Sequence, residues 1–107
     1  MDEVFLAVRR ISETVGSSEA SVLIDEIRRD IENESRKLDE ALASADSIGA
    51  RRRLHSLTGI FATFGFSEAA EMARALPARM SDPATICAFQ RSITDVIACL
   101  QQSSTRI

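Results

Sequence analysis

The chain contains one histidine, no tryptophan, no tyrosine, 2 cysteines, 2 prolines and 4 glycines in 107 residues. One His and two Cys exclude a four-ligand structural zinc site, unless carboxylates or another chain contribute. Few Gly and Pro mean few turns, which argues against a sandwich or barrel of short strands. The longest nearly apolar stretch, Gly59 to Phe66, is far too short to cross a bilayer. The opening residues Met-Asp-Glu-Val lack the basic and apolar regions of a signal peptide. No Gly-rich phosphate loop and no Gly-Lys-Ser/Thr is present, so no nucleotide, metal or other cofactor is expected.

What is present fits a single domain over residues 1–107. Hydrophobic residues make up 45% and charged residues 27%, an ordinary globular balance. The formal net charge of -3 disfavours nucleic acid as a partner, because neutralising phosphates needs a basic surface. Cys87 and Cys99 fall on one helical pattern, and their spacing puts them roughly 18 Å apart at about 1.5 Å per residue. A disulfide needs Cα atoms within about 7 Å, so the two stay reduced. The expected location is the cytoplasm.

Apolar spacing is helical along nearly the whole chain. A first segment over 2–15 aligns Val4, Val8, Ile11 and Val15, with Asp2 as its N-cap. A second over 18–43 aligns Ile24, Ile27, Ile31, Leu38 and Leu42. Its opposite face alternates in sign, with Asp25–Arg29, Arg28–Glu32, Glu32–Arg36 and Arg36–Glu40 at i,i+4. Such a face reads as solvated rather than as a docking strip. A third segment over 47–64 starts at Asp46 or Ser47 and carries Ala50, Leu54, Leu57, Phe61 and Phe64 up to Gly65. A fourth over 66–80 is capped by Ser67 and bent or ended near Leu76 by Pro77. A fifth over 83–103 opens with Asp82 as N-cap and Pro83 at its first position, and the tail beyond it frays. No stretch alternates with period two. The expected fold is all-α: an antiparallel up-down-up-down four-helix bundle with an additional short N-terminal helix.

The single histidine, His55, lies in the middle of the third segment, about 100° around the helix from inward-facing Leu54. Its neighbours at three and four residues are Arg51 and Arg52 before it and Thr58 and Gly59 after it, with Ala62 one turn further. Gly inside a helix costs about 1 kcal/mol relative to Ala. At Gly59 that cost falls beside the only His. It is explained either by access to the imidazole or by close approach of a neighbouring helix. Phe61, Phe64 and Phe66 read as core. A partly exposed phenylalanine, with Phe66 the candidate, joins Ala62 in a docking patch.

The stretch Leu54-His55-Ser56-Leu57-Thr58-Gly59-Ile60-Phe61-Ala62-Thr63-Phe64-Gly65 resembles the signature of histidine-containing phosphotransfer (HPt) domains. In that signature the phosphorylated His is followed by an apolar residue at +2, usually Lys or Arg at +3, and Gly at +4 and +10. His55 matches the phosphoacceptor, Leu57 the apolar position, and Gly59 and Gly65 the two glycines. Leu54 is larger than the usual Ala before the His. Thr58 stands where the family has its base. The resemblance implies a phosphoryl carrier that is no autonomous kinase. It also implies receiver domains of response regulators or a hybrid histidine kinase as partners, with Mg²⁺ and the acceptor Asp belonging to the receiver.

The chemistry suits the residue: a neutral imidazole, with an ordinary pKa of about 6.5, is a good nucleophile near neutral pH. Arg51 and Arg52 project on the same face and are candidates to replace the missing base electrostatically. Thr58 either donates its hydroxyl to the phosphoryl group or bonds back to its own helix. The reading in another class is a helical interaction module that binds a kinase or response regulator without carrying phosphate. A domain of a larger chemotaxis-type kinase is a third reading. No paired carboxylates or nucleophile–base pair point to an enzymatic pocket.

Overall fold

Helices make up the structure, a computed structural model that describes residues 2–106, with side-chain surroundings for residues 3–103. Five α-helices follow in order: α1 (Asp2–Val15), α2 (Ser17–Ala43), α3 (Ser47–Thr63), α4 (Ser67–Ala75) and α5 (Pro83–Arg106). A one-turn 3-10 helix, Leu76–Arg79, joins α4 to α5. Helix α2 packs on α3, α3 on α4, α4 on α5, and α5 closes back on α2, the contact ring of a four-helix bundle. Helix α1 lies along α2 and α5 as the extra helix.

One core runs through the ring. Ile24, Ile27, Ile31 and Leu38 of α2 meet Leu54, Leu57 and Phe61 of α3, Ala69 and Ala73 of α4, and Phe89, Ile93, Val96 and Leu100 of α5. All are buried on the stripes that the periodicity marks. Helix α1 contributes Val4, Ala7 and Val8, while Phe5, Leu6 and Val15 stay exposed. On α2, Arg28 meets both Asp25 and Glu32, and Arg36 meets Glu40. Glu32 is therefore taken by Arg28 rather than by Arg36, and Asp25 meets Arg28 at i+3.

The helix ends explain the connections. Helix α3 starts at Asp46, whose carboxylate accepts from the Gly49 N–H at 2.9 Å. It ends in a Schellman motif: Phe66 N–H donates to Phe61 C=O at 2.8 Å and Gly65 N–H to Ala62 C=O, with Gly65 at φ 81. The accompanying apolar contact is Phe61 against Phe66, ring centroids 6.3 Å apart. The same motif ends α2, with Asp46 N–H on Ala41 C=O, but there Ala45 occupies the left-handed position at φ 56. An L-residue in that conformation costs roughly 1–2 kcal/mol. Ala45→Gly removes the strain at some entropic cost, and a gain of about 0.5–1 kcal/mol in urea-unfolding stability is expected.

Helix α4 departs from expectation at both ends. Ser67 is its first residue and makes no cap, and Phe66 before it is apolar. The cap comes from α1: the Glu3 carboxylate accepts from Glu68 N–H at 2.8 Å and from Ala69 N–H at 3.3 Å. A carboxylate at a helix N-terminus satisfies orphan donors and complements the helix dipole. Glu3→Ala is expected to lower stability by about 1 kcal/mol and to speed amide exchange at Glu68 and Ala69. At its other end the α-helix stops at Ala75 and tightens into the 3-10 turn that holds Pro77. Helix α5 starts as expected. Asp82 accepts from Ala84 N–H and the Thr85 hydroxyl, which together hold its carboxyl below the ordinary range, the hydroxyl most strongly. The helix then runs to Arg106 rather than fraying from Ser103, which is buried and donates to Cys99 C=O. The side chain of Asp2, and with it the expected cap, and Ile107 lie outside what the structure describes.

Candidate functional site

The rotation of α3 decides what surrounds His55. Leu54, Leu57 and Phe61 are buried, so the opposite side of the helix faces water and His55 lies on it, exposed. Arg53 fixes that rotation from the other side, pairing at 3.3 Å with part-buried Glu34 of α2. The arginine run therefore divides. Arg53 ties two helices together, and Arg51 and Arg52 are exposed.

At about 100° per residue, Arg51 and Thr58 lie about 40° and 60° to one side of His55, and Gly59 and Arg52 about 40° and 60° to the other. The first side faces α4. There a groove of about 480 Å³ is lined by Arg51, Leu54, His55 and Thr58 from α3, and by Ala73, Arg74 and Pro77 across it. Arg52 is not among its walls. The opposing helix sits close because its inward residues are Ala69, Ala70 and Ala73, all buried.

Thr58 does not offer its proton to this groove. Its hydroxyl donates to Leu54 C=O at 2.8 Å, the back-bond to its own helix. Thr58 is thus a wall of the groove, with its donor already committed. Among the described residues no hydrogen bond holds the His55 ring, so none of them presets its tautomer.

The second side is open. A Cβ placed on Gly59 would meet nothing within 4 Å. Among the described residues no neighbouring helix approaches there, which removes the packing explanation for this glycine. Gly59 and Ala62 are both exposed on the His55 face. Ile48 lies on the same stripe two turns earlier and is 72% exposed, an apolar side chain at the spacing of seven that returns to the phase of His55. That spacing was available in the sequence and marks Ile48 as part of the face. Arg74 had no such signal, since only the packing of α4 on α3 brings it to the groove that His55 borders.

Phe66 is not on this face. It is fully buried, because the Schellman motif turns it back onto Phe61. A docking role for its ring is therefore corrected to a role in the core. Of the phenylalanines that follow His55, Phe64 is the one left partly exposed. Gly65 likewise serves the helix end rather than the imidazole.

No curated protein and no solved structure matches the chain. A family does: the Hpt domain matches residues 20–104, from the first buried residue of α2 to the last turn of α5, with His55 and its groove inside the match and α1 outside it. The helical bundle, the exposed histidine in mid-helix and that match agree, and the chain belongs to the Hpt domain family.

Proposed function

We propose that His55 carries a phosphoryl group between receiver-domain aspartates of a two-component phosphorelay. As an Hpt domain the chain is involved in histidine phosphotransfer of two-component systems, where such domains are phosphocarriers rather than kinases and interact with receiver domains and histidine kinases. The finer reading rests above all on Gly59: a mid-helix glycine beside the only histidine, with open space where its side chain would be. Its cost to the helix has no return within the chain, so the room it leaves is for something that docks.

The transfer balances simply. The unprotonated imidazole nitrogen attacks phosphorus of an aspartyl phosphate. A phosphorus–nitrogen bond forms, the bond to the carboxylate oxygen breaks, and the carboxylate leaves as the anion. The proton on the other ring nitrogen stays in place. The next receiver aspartate reverses these steps. His55, exposed and backed by a rigid helix, is poised for in-line attack from a partner surface. Ile48, Arg52, Gly59 and Ala62 form the docking stripe around it. Arg51 and Arg52 add positive charge toward an acidic receiver site.

Thr58 supports a second reading. The position where the family carries a base has neither a cation nor a free hydroxyl proton. In that reading the domain binds a kinase or regulator without carrying phosphate. Incubation with a phosphorylated receiver domain separates the two. Acid-labile, base-stable label on the wild type supports the carrier, whereas binding without label supports the interaction module.

A further inference from the structure

We propose that Arg74 of α4 is the cation that holds the phosphoryl group on His55, closing on it from across the groove while Arg51 faces it from α3. This deepens the carrier reading and rests on it. The family position for a base is empty of charge, so the cation must come from elsewhere. The candidates are the three arginines just before His55 on α3 and Arg74, which lines its groove from α4. Arg53 is held by Glu34 on the far side of α3. Arg52 projects to the open side, away from the groove. Arg51 and Arg74 remain, and both line the groove that His55 borders.

The state of Arg74 suits a transferable cation. It pairs with Glu71, one turn back on the same helix, and both side chains are exposed. Such pairs are held weakly. A phosphoryl group carries up to two negative charges and three acceptor oxygens, against one charge on Glu71. A guanidinium fork matches it bidentately. Helix α4 supplies a fixed base for that reach, since its alanine face is buried against the bundle and its N-terminus is capped by Glu3. Phosphorylation would thus exchange the partner of Arg74, leaving Glu71 free at the edge of the docking face.

Potassium phosphoramidate tests this without any partner protein, by following label on the chain and the Arg74 Nε–H resonance. In the wild type, labelling is expected to shift that resonance, and His55→Gln to abolish both label and shift. Arg74→Ala is expected to slow labelling about tenfold, with Arg74→Lys recovering part of the rate and Arg91→Ala, exposed on α5, matching the wild type. Arg74 is exposed, so unchanged melting of these variants is expected to accompany the effect. Label at the wild-type rate in Arg74→Ala, with no shift of the Arg74 resonance, overturns this assignment and leaves the carrier reading standing. A wild type that takes no label overturns both.

Discussion

Gly59→Leu is expected to make the protein more stable and much slower to receive phosphate from a receiver domain. The two effects have separate causes. In the isolated chain Gly59 is a helix-interior residue with helical backbone and open space around its missing Cβ. Leu is close to Ala in helix propensity, so the substitution is expected to add about 0.5–1 kcal/mol and to raise Tm by a few degrees. In the docked state the added side chain lies on the face where His55 must meet the partner. Overpacking a close interface costs roughly 1–3 kcal/mol, which is about a 5- to 150-fold loss of transfer rate. Thermal melts and a transfer assay on the same variant read the two terms. Gly59→Ala keeps most of the stability gain with a smaller loss of transfer, so the series separates packing from docking. A stability loss in Gly59→Leu would mean that this face is covered within the folded chain.

Phosphoramidate labelling separates the docking effect from the chemistry. The small donor needs no protein surface, so Gly59→Leu is expected to label with it at close to the wild-type rate. Arg74→Ala is expected to differ, slowing phosphorylation about tenfold with both donors. The open side of His55 would then serve the partner, and the α4 side the phosphoryl group.

Much of this arrangement is legible in the sequence because it is local. The start of α3 at Asp46, its stop at Gly65 and the buried stripe through Leu54, Leu57 and Phe61 follow from capping chemistry and helical period. The exposure of His55 follows from its phase against that stripe. Phe66 was open to the same treatment. A residue following a helix-stop glycine is the one that packs back on the last turn, so Gly65 already implied a buried ring. What required the folded chain is non-local. The cap of α4 comes from Glu3, sixty-five residues away in sequence from Glu68, and no pattern of nearby residues points to it. Arg74 lines the same groove as the histidine only because α4, with its three buried alanines, packs on α3. Thr58 is a local case that only the rotamer decides, its hydroxyl donating to Leu54 C=O four residues back. The ion pairs on α2 show the same limit on a smaller scale, since i,i+3 and i,i+4 partners compete and rotamers decide.

The second prediction concerns the histidine itself, and its effect is the largest. His55 is the only imidazole in the chain, so no other side chain can carry a phosphohistidine. His55→Gln keeps a polar side chain of similar reach at an exposed helix position. It is expected to leave stability within about 0.5 kcal/mol of the wild type. Loss of phosphorylation in this variant is therefore not a loss of fold.

The most direct measurement is the site of the phosphoryl group. The wild type is incubated with a phosphorylated receiver domain and digested under alkaline conditions. The phosphopeptide is then located by mass spectrometry, with His55→Gln run in parallel. The account predicts acid-labile, base-stable phosphate on the peptide containing His55 in the wild type, and none in the variant. Phosphate that persists in His55→Gln, or none on the wild type with any receiver that binds it, would contradict it.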